Sequence, residues 1–473
     1  MEWKAIFGGR TQEAYLFYLY SLATPSRIWF GRLSRVATGL MLVCNSIVVS
    51  CASAQEKSAP ITVFMNLFPI FASSAEGVKI VKIADHGVLH RYFDTSPISP
   101  SGRYVALLRV PYEDKMALPG DAAEVLLVDL QKGEERVIGK SRGWGHQLGA
   151  NVQWGRSDHE LYFNDVDPVD WSCFAIKLDP FTGERRRLGG TVFMVSPDGS
   201  TLASDNQKKT MLFVQKGYGV AVPEAYVRRN IGPVEDDGIY LTDTATGHSR
   251  MLVSIREIYD TSVPSIRIAE PTRFEYYCFA VKWNPQGTRL LTTLQWTPLT
   301  GGKRFRTVIT MRPDGSEIRT AVTAEQWRKG GHHVNWAPDG EHLTMNLEAD
   351  GTPGLELVRF RADGSELEII YPKGSGHPSV NPHYPFVITD AYTWEPFAKG
   401  DDTAPLRLLD LRTKRETTIA NIYLGNWKGK EELRVDAHPA WDASGRYIVF
   451  DGYVGDTRNV YLMYLGPLAL DDR

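Results

Sequence analysis

The chain has 473 residues, 43% of them hydrophobic, with 42 glycines and 27 prolines, ordinary globular material for one large repeat domain or two smaller ones. A formal net charge of only −3 leaves no whole-molecule field to draw in nucleic acid, so a polyanionic ligand must be met by a local basic patch. The aromatic share, 11% with 12 Trp and 21 Tyr, suits all-β packing or a sugar-binding cleft.

At the N-terminus Arg32 and Arg35 precede the apolar run from Ala37 to Val49, and Ala52-Ser53-Ala54 precede Gln55. This is the order of a secretory signal, with an apolar run short for a membrane span. Val48-Val49-Ser50-Cys51 also fits a bacterial lipoprotein signal with lipid on Cys51, and an uncleaved anchor is the third alternative. The expectation is an export segment over 1–54, a single domain over 55–473, and a secreted or periplasmic location. Cys44 and Cys51 belong to the export segment. Cys173 and Cys278 remain, too few for a disulfide framework, with one bridge between them left open.

A turn signature then recurs along the chain: Ser99-Pro100-Ser101-Gly102, Ser196-Pro197-Asp198-Gly199, Asn284-Pro285-Gln286-Gly287, Ala337-Pro338-Asp339-Gly340 and Asp442-Ala443-Ser444-Gly445. Gly155-Arg156-Ser157-Asp158 and Asn381-Pro382-His383-Tyr384 are degenerate copies. Proline presets φ, and Asp and Gly accept the tight backbone of a hairpin turn. β-rich runs such as Tyr104–Leu108 and Tyr447–Phe450 follow. The proline-equivalent positions 100, 156, 197, 285, 338, 382 and 443 are spaced by 41 to 61 residues, except for one step of 88. That is the length of a four-stranded blade, and the pattern predicts an all-β, seven-bladed β-propeller. The long step is expected to carry an insertion at about 205–237, with a degenerate eighth blade as the alternative.

In a propeller the strand entering each such turn lines the central channel. Five residues before each proline-equivalent stand Thr95, Asn151, Val192, Ala280, His333, His377 and His438. Three of the 11 histidines thus share one repeat position in successive blades. They read either as unrelated polar residues bound to water or as a set converging on one divalent cation, which would satisfy their acceptors together. Cys278, two residues before Ala280, is expected on the same strand face and is the candidate fourth ligand. Three histidines, with or without a thiolate, favour Zn²⁺, whereas added oxygen ligands would favour Mn²⁺. His332 is expected to face away.

Other candidates lie at the channel rim. His146, in Trp144–Asn151, sits on a loop before an inner strand, and Tyr218 is flanked by Gly217 and Gly219. Arg228 and Arg229 form a compact basic patch, and Arg273, Tyr276 and Tyr277 precede the Cys278 strand. Each alone also reads as a solvated loop residue. Together His, Tyr and Arg suit β-elimination on a uronic acid: Arg offsets the carboxylate, His takes the C5 proton, and Tyr supplies one to O4. Asn151, Arg273, Tyr276 and Tyr277 are the expected substrate contacts.

Phe279–Pro285, His332–Trp336, Gly376–Ser379 and Asp436–Trp441 resemble the inner strands of propeller polysaccharide lyases, the oligogalacturonate lyases and ulvan lyases among them. His146-Gln147-Leu148-Gly149, Gln153-Trp154, Asn164-Asp165 and Gly217-Tyr218-Gly219 extend the resemblance from about Asp85 onward. It implies His146 as base or acid, Tyr218 as its partner, Arg228 or Arg229 as neutraliser, Tyr276 or Tyr277 as a further contact, and a largely structural metal on His333, His377 and His438. Two positions depart from the pattern. Ala280 stands where relatives often carry a fourth histidine, so Cys278 or water would complete the sphere, and Val166 stands where a second active-site histidine tends to follow Asn-Asp. The expected function is a lyase cleaving an anionic, uronate-containing, sulfated polysaccharide of the ulvan kind, with no nucleic-acid or protein partner. The rivals are an oligogalacturonate lyase with channel Mn²⁺, which would use its metal to bind substrate carboxylate, and a non-catalytic TolB-like binding propeller.

Overall fold

The recurring turns fold alike. Gly102 N donates to Ser99 O at 2.8 Å, Gly199 to Ser196 at 2.8 Å, Gly287 to Asn284 at 2.9 Å, Gly340 to Ala337 at 2.9 Å and Gly445 to Asp442 at 3.0 Å. In this computed structural model, residues 61–466 are described, apart from 72, 74, 76, 350, 352, 428 and 429. The expected export segment, with Cys44 and Cys51, lies outside them. Each turn leads from an inner strand into the second strand of an antiparallel sheet, and seven such sheets form a seven-bladed β-propeller.

The blades span 88–141, 153–187, 194–254, 274–322, 331–371 and 379–423, and the seventh combines 440–464 with Lys79–Ala84. That last strand pairs antiparallel with Arg458–Tyr464, Val81 opposite Leu462, so an early segment and a late one close the ring within one sheet. Ile70–Phe71 adds a fifth strand outside it. The long spacing is an excursion, not a blade. Residues 205–237 leave blade three between Thr201–Ser204 and Gly238–Asp243 and form the short helical turns Gln207–Lys209, Thr210–Val214 and Glu224–Tyr226. The helix Ile255–Thr261 follows before blade four. No helix among the described residues is long and apolar enough to cross a membrane, and Cys173 and Cys278 are both free thiols.

Tryptophans at the ends of inner strands lock neighbouring blades. Trp154 Nε1 donates to Pro97 O at 2.8 Å, Trp336 Nε1 to Lys282 O at 3.2 Å, and Trp441 Nε1 to Ser379 O at 2.9 Å. Each indole thus buries its apolar body between two sheets and spends its one donor on the preceding blade's channel strand. This fixes the positions of the inner strands, and through them the channel side chains.

Candidate metal centre and its cleft

The shared repeat position is a place where strand alternation fails. Asn151, Ala280, His333 and His438 have φ of 55°, 62°, 60° and 46°, the left-handed region that ordinary residues avoid at about 1–2 kcal/mol each. Pairing with the second strand shifts register at this point, between Phe279 and Lys282 in blade four and between His332 and Asn335 in blade five. The bulge re-aims the side chain of this position. In blade six Gly376 takes the positive φ, 54°, one residue earlier, and a Cβ there would overlap Asp390.

Against that gap Asp390 closes on His377. The carboxylate accepts from His377 N at 2.6 Å, meets His377 Nδ1 at 3.0 Å through both oxygens, and accepts from His438 N at 3.2 Å. Burial alone would raise the Asp390 carboxyl, but His377 and these backbone N–H groups hold it below its ordinary range. With Nδ1 tied up, His377 presents Nε2, which is buried and has no hydrogen-bond partner. His438 packs edge-on to His377, centroids 4.3 Å apart, with both ring nitrogens buried and unpartnered. Asp436 Oδ2 lies 3.8 Å from His438 Nε2.

His377, Asp436 and His438 therefore form a buried group whose candidate ligand atoms all lie within 4.8 Å of one another. Buried imidazole nitrogens left unpaired beside a carboxylate are costly, and a divalent cation would satisfy them at once. The donor chemistry fits such an ion. Burial, before any charged neighbour, pushes the His438 imidazole well below its ordinary pKa and keeps it neutral, the form that ligates.

His333 stands beside this group. Its ring stacks on His377 with centroids 3.9 Å apart, its Nδ1 faces Gly376 O, and its Nε2 is 3.3 Å from the Tyr392 hydroxyl. His332 does not face away: its Nδ1 lies 2.7 Å from that of His333, because the bulge at 332–335 cancels the alternation that would separate them. The same irregularity in blade four defeats the argument for Cys278. Burial, and then the nearby carboxylates of Asp237 and Asp205, push the pKa of its thiol well up against the lowering effect of a hydrogen bond with Thr292, and it does not join the ligand group.

The turn Tyr92–Thr95 crosses beneath the histidines. The Tyr92 ring lies 4.7 Å from His438 and 5.5 Å from His377, and Phe93 lies 5.6 Å from His377. Below them Asp94 is held by Arg91 and by Lys282 Nζ at 2.8 Å. Burial would raise this carboxyl, but the two cations pull it down to about 2. Asn151 belongs to this charged layer, its Oδ1 accepting from Arg91 Nε at 2.9 Å.

On the other side of the ligands, Arg434 joins Asp436 to Tyr218. Its guanidinium donates to Asp436 Oδ1 at 3.1 Å and to the Tyr218 hydroxyl at 3.2 Å. The loop carrying His146 is brought to the same place. Gln147 N donates to Gly217 O at 3.0 Å and its side chain to Arg434 O at 2.8 Å. Gly217 has φ 86°, and a Cβ at Gly219 would strike Gln207 O, which is why glycines flank Tyr218. His146 itself is 1% exposed, its ring 5.1 Å from Trp144 and its Nε2 3.3 Å from Tyr112 O. Burial, then Arg458, pushes its pKa down to about 3.

The remaining rim residues find partners among themselves. Arg229 pairs with Glu275 at 2.6 Å and lies over the Phe213 ring; Tyr277 donates to Glu275 at 2.8 Å. Arg228 faces Asp236 at 3.5 Å and Arg273 faces Glu270 at 3.1 Å, both largely in solvent. Tyr276 is buried in blade four, stacked on Trp296. None of these contacts reaches the ligand group. Sequence reasoning missed Asp390, Tyr392, Arg434 and Asp436. Arg434 and Asp436, charged residues four and two positions before His438, were a usable signal only as a polar cluster beside a candidate ligand, since the segment before Ala440 is not a strand.

A cleft of about 330 Å³ reaches this group at Asp436 and is lined by Tyr392, Trp394, Asp402, Trp427 and Arg434 among others. The centre is thus connected to a ligand-sized opening.

No protein-family model and no curated protein matches the sequence. Among solved structures, an oligogalacturonate lyase from Vibrio parahaemolyticus is 13% identical over 85% of this chain and 97% of its own, with a TM-score of 0.56. A putative TolB from Agrobacterium tumefaciens is 16% identical over 61% and 85% of the two chains, with a TM-score of 0.35. TolB from Acinetobacter baumannii is 13% identical over 76% and 80%, at 0.37. At these identities the likeness to the lyase shows a shared propeller fold, and the two TolB likenesses are too loose to carry an argument.

Proposed function

We propose that this protein is a lyase that cleaves a uronate-containing oligosaccharide by β-elimination at the channel mouth. The observation that carries the proposal is the junction of the buried His377–Asp436–His438 group with the Arg434–Tyr218 pair through Asp436 and Arg434, which both line the cleft. The lyase fold likeness supports it, and an oligogalacturonate-type substrate is favoured over a sulfated ulvan-type one. His333, stacked on His377, would serve as a fourth donor by turning its Nε2 from the Tyr392 hydroxyl to the ion. With Asp436 and not a thiolate in the set, the oxygen content moves the preference towards Mn²⁺.

A divalent ion on these ligands would offset the substrate carboxylate and so acidify the adjacent C5 proton. The chain's own residues then divide the work. Arg434 supplies a second positive charge at the cleft wall, held charged because Asp436 outweighs the effect of burial. Tyr218, pushed up to about 12 by burial, keeps its proton and donates it to O4 as the C4–O4 bond breaks and the C4–C5 double bond forms. The C5 proton passes to a neutral imidazole. His332 is half-buried and His146 is sealed behind Trp144, so exposure favours His332.

The test is ultraviolet absorbance of the new conjugated double bond when the metal-loaded protein meets oligogalacturonate, polygalacturonate or ulvan. A rise with oligogalacturonate is expected. A rise with ulvan alone would reverse the substrate preference, and a flat trace on all three would leave a binding propeller.

A further inference from the structure

The outer half of the cleft is built differently from its inner half. Trp394 is 65% exposed, yet its ring is ordered flat against Tyr392, centroids 4.5 Å apart and planes 9° apart. Trp427 forms the other side, steadied by an edge contact to Tyr453 at 5.0 Å. Trp394 and Trp427 thus present aromatic surface at one opening. A flat aromatic face, electron-rich, receives the C–H face of a sugar ring.

Charge then selects which sugar. Among the described residues the one cation lining the cleft is Arg434, and it is already paired with Asp436 at the inner end. The outer lining carries the carboxylates of Asp402 and Glu431. A second uronate, or a sulfated ring, placed on Trp394 would meet like charge in a recess where water screens it poorly. Vicinal hydroxyls of an uncharged ring would instead donate to Asp402.

We propose that Trp394, Trp427 and Asp402 form a subsite for an uncharged sugar ring next to the uronate bound at the metal end. The subsite rests on the lyase reading for its neighbour, but its own occupancy does not require turnover. A mixed oligosaccharide in which the cleaved uronate is flanked by a neutral sugar is then bound more tightly than oligogalacturonate, which the metal end still accepts.

The test uses full-length, metal-loaded protein at a temperature where turnover is negligible. Binding of two probes, digalacturonate and a galacturonate–rhamnose disaccharide, is followed by calorimetry, with galacturonate monosaccharide as reference. The mixed disaccharide is expected to bind about tenfold tighter than digalacturonate. Trp394→Ala should remove that advantage while leaving monosaccharide affinity within about twofold and the melting temperature unchanged. Asp402→Asn should raise digalacturonate affinity. Equal binding of the two disaccharides, a preference for digalacturonate, or indifference to Trp394→Ala each overturns the subsite. Failure of the elimination assay with this binding pattern intact would remove the lyase proposal and leave the subsite standing.

Discussion

Asp390 grips His377 twice, at the backbone N–H at 2.6 Å and at Nδ1 at 3.0 Å, and so decides which ring nitrogen faces the channel axis. A carboxylate behind a histidine fixes its tautomer and makes the opposite nitrogen a better donor. Asp390→Asn keeps the shape but cannot serve both N–H groups as a charged acceptor. Metal affinity should fall by about 10- to 100-fold with the fold retained. Mn²⁺ and Zn²⁺ titrations of the apoprotein read this directly, and unchanged affinity would mean that His377 does not ligate.

Metal binding to a preformed site also stabilises the native state. At a free-metal concentration of about 100 times Kd the gain is about 2.7 kcal/mol, visible as a raised melting temperature that a chelator reverses. His438→Ala should abolish the metal-dependent part and leave the chelated protein no more than modestly changed. Cys278→Ser should leave the metal response intact, since its thiol sits with Asp237 and Asp205. A lost response in Cys278→Ser would return the thiolate to the ligand set.

The fold and half of the centre were legible in the sequence for one reason: repetition. The Pro-Asp-Gly turns mark the blades, and counting back five residues reached His377 and His438 of the candidate group, with His333 beside it, because propeller symmetry maps equal offsets to equal depths. Alternation along a single strand was the weaker tool. It misplaced Cys278 and turned His332 away because the channel position itself is a bulge, and a left-handed residue such as Ala280 announces nothing by its side chain. Asp390 was hidden for another reason. It comes from the second strand of blade six and meets His377 only because Gly376 lets the two backbones approach. Arg228 and Arg229 drew notice as a basic run, but a basic run in an excursion loop pairs with local acids, here Asp236 and Glu275.

His146 links stability to pH. Its pKa of about 3 in the folded chain lies below the ordinary 6.5, so the unfolded chain binds a proton that the native one refuses. Its contribution is complete above pH 6.5 and is lost as pH falls towards 3, at about 1.4 kcal/mol per pH unit. His146→Phe should flatten the acid limb of the stability curve. His146→Ala should cost about 2 kcal/mol or more at neutral pH by opening a cavity against Trp144. Denaturant melts from pH 4 to 8 give both quantities, and an unaltered acid slope in the Phe variant would count against a buried neutral imidazole.

Tyr218 and Arg434 make the sharpest test of the chemistry, because neither is itself in the ligand group, although Arg434 pairs with one of its members, Asp436. Tyr218→Phe removes one hydroxyl, 3.2 Å from Arg434, and keeps the ring packing against Tyr92 and Phe279. If that hydroxyl donates to O4, kcat should fall by about 10²- to 10⁴-fold with KM little changed. Substrates whose O4 carries a better leaving group should recover part of the loss, since they need the proton less. Arg434→Lys keeps the charge but loses the fork that spans Asp436 and Tyr218. It should raise KM for a uronate substrate and lower kcat together, while metal content stays at the wild-type value. A Tyr218→Phe enzyme of normal kcat would move the proton donor elsewhere, and Arg434→Lys protein that lost its metal would show the guanidinium to be a support for Asp436 and not a partner of the substrate.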